Sequence, residues 1–112
     1  MAAYEHELTA DLDAFVAHVD RHILAGSATA KLEDSFDHTI GTARMVVKVY
    51  ERYSAMGGNR VSLTISVLGA DGQLAVSAIT SGGSEAMFFK INTLGEDSFL
   101  QKAVDAIEGF AA

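Results

Sequence analysis

The chain has no cysteine, so disulfides, thiolate metal sites and thiol nucleophiles are excluded. Proline and tryptophan are absent too, so turns must be read from glycine and its polar neighbours. Basic residues are scarce: 8 Lys and Arg against 15 Asp and Glu, a formal net charge of −7. So acidic a surface repels phosphate backbones and argues against nucleic acid as a general partner. No run of about 18 apolar residues occurs, and no basic segment precedes an apolar stretch at the N-terminus. Neither a membrane span nor a signal peptide is therefore expected, and no membrane partner.

What is present is apolar material: 49% of the 112 residues are hydrophobic, enough for a true core and against wholesale disorder. The length suits a single domain over residues 1–112. Charge is uneven along it. Residues 41–60 hold four bases (Arg44, Lys48, Arg52 and Arg60) against one acid, and the flanking segments are acidic. That basic segment reads as a solvated strand face balancing acidic neighbours, or as a contact for an acidic partner.

Tyr4–Leu8 alternates, with Tyr4, His6 and Leu8 on one side and Glu5 and Glu7 on the other, as a strand with one wet face does. The period then lengthens. Leu12, Phe15, Val16, Val19 and Ile23 form one stripe of a helix, with Thr9 as its cap and Gly26 as its stop. Ser27–Glu33 reads as a second strand and Asp34–Gly41 as a polar turn. Thr42–Ser54 is the longest strand candidate. Ala43, Met45, Val47, Val49, Glu51 and Tyr53 are placed toward the core, and Arg44, Val46, Lys48, Tyr50 and Arg52 on the other face. Arg60–Leu68 and Gln73–Ser81 alternate cleanly. A four-residue loop at 69–72 would set Val67 opposite Leu74, and a three-residue loop at 57–59 would set Tyr53 opposite Leu63. Ala86–Ile91 resumes alternation. From about Glu96, Leu100, Ala103, Val104, Ile107 and Phe110 restore the helical period.

These elements predict an α+β two-layer sandwich: an antiparallel meander of five or six strands with two helices on one face, in the order β-α-β-β-β-β-β-α. The C-terminal helix would lie across the sheet as in helix-grip or TBP-like folds.

Chemistry-bearing motifs are sparse. Glu51, placed between Val49 and Tyr53 on the core side, would have to pair, protonate or reach water. It is the one residue on which a general base is arguable. His18 and His22 have the four-residue spacing of a metal pair on one helix face, yet lack a third ligand. Ser81-Gly82-Gly83-Ser84-Glu85 lacks the lysine of a phosphate-binding loop. No catalytic residue, metal site or cofactor is assigned.

The stretches Tyr50-Glu51-Arg52-Tyr53-Ser54, Gly57-Gly58-Asn59-Arg60-Val61-Ser62-Leu63, Ser77-Ala78-Ile79-Thr80-Ser81-Gly82-Gly83-Ser84 and Phe88-Phe89-Lys90-Ile91-Asn92-Thr93 resemble those of a family of small uncharacterised bacterial proteins, a domain of unknown function. The resemblance implies a bacterial, cytoplasmic protein and no particular chemistry.

Two surfaces remain as candidate sites. An open sheet face of Arg44, Val46, Lys48, Tyr50, Arg52, Ile79 and Phe88 would serve an interaction module that forms a homodimer, and Tyr50→Glu with Ile79→Glu would then give monomers. Alternatively, Glu51, Tyr53, Phe89 and Phe110 would line a pocket for a small apolar ligand between the sheet and the C-terminal helix. An enzyme using Glu51 is the third reading.

Overall fold

The computed structural model describes residues 2–53, 60–82 and 98–110, together with the backbone of 89–97. The elements are β1 (Ala2–Thr9), α1 (Leu12–Ala25), β2 (Lys31–Ile40), β3 (Ala43–Tyr53), β4 (Arg60–Ala70), β5 (Gln73–Gly82) and α2 (Phe89–Gly109). The five strands form one antiparallel sheet in the order β1-β5-β4-β3-β2, with both helices packed on the same face. The α+β sandwich expected from the sequence is thus present. The chain enters at one edge, crosses the whole sheet through α1, and returns strand by strand to pair β5 with β1.

The first helix forms where the periodicity places it, but its cap differs. Thr9 still pairs with Gln73 in the sheet, so the helix begins after it. Asp11 takes the extended cap conformation, and its carboxylate accepts a hydrogen bond from the Ala14 N–H at 2.9 Å. Gly26 ends the helix by donating its N–H to the His22 carbonyl. Phe15, Val19 and Ile23 are buried, and Leu12 and Val16 flank them.

The β4–β5 hairpin keeps the expected parity but closes more tightly. Ala70 pairs with Gln73 and Val67 with Val76, so only Asp71 and Gly72 turn the chain. Both have positive φ, 54° and 82°, as a two-residue type I′ turn requires, and Gly72 supplies the one that side chains tolerate least. Val61, Leu63, Ile65 and Val67 alternate inward from β4, and Leu74, Val76, Ala78 and Thr80 from β5. Gly69 completes the β4 row. A Cβ there would come within 2.8 Å of Leu12 and 2.9 Å of Leu74, so glycine lets the start of α1 close on the sheet.

Three expectations are corrected. The second strand is not Ser27–Glu33: β2 runs Lys31–Ile40, through the segment read as a turn. It is exposed along its whole length because neither helix covers that edge, so burial never required it to be apolar. Second, Phe89–Ile91 is not a strand but the beginning of α2. Its buried face is Phe99, Ala103, Ala106 and Ile107, with Leu100, Val104 and Phe110 at the margin. Third, β3 is turned over. Tyr53 pairs with Arg60, not Leu63, because six residues rather than three separate the paired strand ends. That change of parity sends Val46 (5% exposed) and Tyr50 (1%) under the helices and leaves Met45 (37%) in solvent.

α1 meets α2 through a histidine. The His18 Nε2 lies 3.0 Å from the Ala106 carbonyl, so this nitrogen carries the proton and donates it. The ring also packs edge-on against Phe110 and beside His22. Desolvation first, then the neighbouring His22, hold the His18 imidazole below its ordinary range, with Arg21 adding to this and the Ala106 bond opposing it. A base whose folded pKa lies below its unfolded value favours folding when neutral. The contribution is therefore full above the ordinary histidine value and is lost as pH falls below it. Calorimetry from pH 8 to pH 5 should show the melting temperature falling with acidity, and His18→Gln, which keeps an N–H donor, should flatten that slope. No helix among the described residues is long and apolar enough to cross a membrane.

Candidate interaction surface on the open sheet face

The unexpected orientation of β3 creates two different surfaces. On the helix side it presents Arg44, Val46, Lys48, Tyr50 and Arg52, most of the set expected to be open. Arg44, Lys48 and Tyr50 tie this strand to α1. Arg44 bridges β2 and α1, donating through Nε and Nη2 to Asp37 at 3.0 and 2.7 Å and pairing with Asp13 at 2.9 Å. Its guanidinium pulls the Asp37 carboxyl below its usual range, while the two carboxylates hold Arg44 firmly charged. One turn pair further along the helix, Asp20 accepts the Tyr50 hydroxyl at 2.6 Å and lies 3.4 Å from the Lys48 ammonium. Burial, then the bond to Asp20, push the Tyr50 phenol far above its ordinary value, so it remains a neutral donor.

The spacing has a simple origin. Asp13 and Asp20 are seven residues apart, about 10 Å along a helix, while Arg44 and Lys48 are four apart, about 13 Å along a strand. Two helix turns therefore match four strand residues. A groove of ≈ 590 Å³ remains between α1 and the β2–β3 edge, but its carboxylates and cations are largely paired with one another. Arg52 lies over the Phe99 ring, 4.5 Å from its centroid.

Opposite this side is a sheet face on which neither α1 nor α2 packs. β3 contributes Met45, Val47, Val49 and Tyr53, β4 contributes Thr64, Ser66 and Leu68, and β5 contributes Ala75, Ser77 and Ile79. β2 adds Phe36, His38 and Ile40, the first two with ring centroids 4.3 Å apart. β1 adds Glu5 and Glu7. Phe36, Ile40, Met45, Tyr53, Leu68 and Ile79 are all exposed, Leu68 at 50% on the central strand. A shallow trough of ≈ 250 Å³ runs over Ser66, Ala75 and Ser77, with Glu5 and Glu7 on one bank and Met45 and Leu68 on the other.

Of the residues expected at an open interface, Ile79 is on this face, Arg44, Val46, Lys48, Tyr50 and Arg52 are on the covered one, and Phe88 lies outside the described residues. Tyr50→Glu would therefore attack the core. The proposed pocket residues are also separated. Glu51 and Tyr53 sit on the open face, where Glu51 pairs with Arg60, and the Arg60 guanidinium lies 5.9 Å from the Tyr53 ring centroid. Phe110 is on the other side of the sheet, edge-on to Phe15 at 5.3 Å. The side chain of Phe89 lies outside the described residues. Phe99, Ala103, Ala106 and Ile107 are buried between α2 and the sheet. Of the polar Ser81–Glu85 stretch, only Ser81 and Gly82 are described, at the end of β5. No group of three or more metal-ligating side chains occurs among the described residues.

Fold and surface together define a small two-layer α+β protein whose sheet has one face that neither helix covers, where apolar and polar side chains are mixed. The chain belongs to the family described as "Family of unknown function (DUF6054)", which it matches over residues 1–111. None of the curated proteins compared with it matches.

Proposed function

We propose that this protein is a non-enzymatic interaction module that associates with a second copy of itself through the open sheet face. The observation that carries the reading is the orientation of β3. That strand turns its more apolar side, Met45, Val47, Val49 and Tyr53, away from the helices, and keeps three cations on the covered side. A sheet with one face meant for water usually shows the reverse. Contiguous exposed apolar surface of this kind marks an interface.

Glu51 as a general base has weaker support, because its carboxylate is held by Arg60 on the side of β3 turned away from the helices. The proposal includes a cytoplasmic setting in a bacterium, which rests on the family resemblance and with which a cysteine-free chain is compatible.

Sedimentation equilibrium tests the association. Wild-type protein should show twice its 11.8 kDa mass at high concentration and dissociate on dilution. Leu68→Glu with Ile79→Glu should remain at the single-chain mass throughout, with an unchanged circular dichroism spectrum. A wild type that stays at the single-chain mass at millimolar concentration would end the proposal.

A further inference from the structure

The open face is ruled by cross-strand rows, and one row shows how two copies meet. Following the pairing across all five strands, Glu7 stands beside Ala75, Ala75 beside Leu68, Leu68 beside Met45, and Met45 beside His38. The row is graded: acid, small, large, large, imidazole. β4 is the middle strand, so Leu68 is the centre of the row.

Resting on the association proposed above, we infer that the two copies are related by a two-fold axis running along β4. This rotation lays each row on its own reverse. Leu68 meets Leu68 of the other copy, Ala75 receives Met45, and His38 meets the edge that carries Glu7 and Glu5. The next row repeats the logic: Ser77 stands where Val47 arrives, and Ser66 meets itself. The trough over Ser66, Ala75 and Ser77 thus takes the ridge formed by Met45 and Val47. An isologous contact needs such self-complementarity. Stacked sheets cross at about 30°, which displaces the outer strands along their length, and the two glutamates two residues apart span that displacement.

The other in-plane axis, across the strands, fails on the same residues. It would set β1 over β1 and bring the glutamates of both copies together. It would also oppose Met45 to a large neighbour and Ala75 to a small one, leaving a ridge against a ridge and a void against a void. The size of the face is adequate. Five strands about 4.8 Å apart and about eight residues long cover about 650 Å² per copy, or about 1,300 Å² in total, within the range of stable interfaces.

The absence of cysteine makes crosslinking selective. Glu7→Cys and His38→Cys proteins, mixed and treated with a short bis-maleimide, should give a covalent heterodimer. Glu7→Cys protein alone should give none, because the two Glu7 positions lie four strand spacings apart, about 19 Å laterally. Self-linking of the Glu7→Cys protein, or no link in the mixture while sedimentation still shows a dimer, would overturn this axis and leave the association standing. A monomeric wild type would remove both. A supporting test is charge exchange: Glu5→Lys with Glu7→Lys should weaken the dimer several-fold, and adding His38→Glu should restore it. Failure of that restoration in a dimer that still forms would also count against the axis.

Discussion

Val46→Asp should abolish folding, while Val47→Asp, one residue along the same strand, should leave a cooperatively folded protein. Val46 is 5% exposed beneath α1, between the Arg44 and Lys48 stems, and pairs with Val67 in the core. A carboxylate there either gives up its hydration or displaces the helix, at several kcal/mol. A small domain has about 5–15 kcal/mol in all, so the loss is comparable to the whole. Val47 lies on the open face beside Phe36 and Ser66, where a carboxylate reaches water and bears only on the proposed association. Far-ultraviolet circular dichroism with urea titration distinguishes the two. If Val47→Asp were the unfolded variant, β3 would have to be reversed, and with it the assignment of the interface.

The second large effect is expected at Phe15, where α1, α2 and the sheet meet. Its side chain is fully buried and stands edge-on to Phe110 at 5.3 Å. Truncation removes a ring that fills the junction of the two helices, and the rigid sheet beneath prevents collapse into the space. Phe15→Ala should cost about 3–5 kcal/mol. Phe110→Ala, at the partly buried edge of the same ring pair, should lose less. Urea midpoints of the two variants test this, and an equal loss at both would mean that the junction is not packed around Phe15.

How much of this could be read from residues alone depends on how strongly burial constrained each segment. β1, β4 and β5 were legible because each alternates apolar with polar residues against a covered face. α1 was legible because Phe15, Val19 and Ile23 keep the helical period. β2 was hidden by its own exposure. Phe36, His38 and Ile40 do alternate with Ser35, Asp37 and Thr39, but an edge strand without a helix over it tolerates acids that resemble a turn. The face of β3 departs from its pattern for a deeper reason. Patterning assumes that the apolar side is the covered side, and here the helix-facing side carries Arg44, Lys48 and Arg52, two of them matched by Asp13 and Asp20 on α1. The pairing of a helix with a strand remote in sequence leaves no local signature. The same segment also bears the proposed interface, which explains why a pattern suited to folding alone placed it inside.

α2 begins earlier than its periodicity indicates for a local reason, since Phe89–Ile91 alternates like a strand and lies before the period that becomes clear after Glu96. The Asp71-Gly72 hairpin loop is two residues shorter than its turn signal indicates, a difference that preserves parity and leaves the inward faces of β4 and β5 unchanged.

Hydroxyl-radical footprinting across a dilution series tests the central claim most directly, because it reports which side chains a second copy covers. With rising concentration, Phe36, Met45, Leu68 and Ile79 should become protected together, while the solvent-facing residues of α1 should not change. Protection confined to the helices, or oxidation of Met45 and Leu68 that is the same at every concentration, would contradict the open sheet face as the surface through which this protein acts.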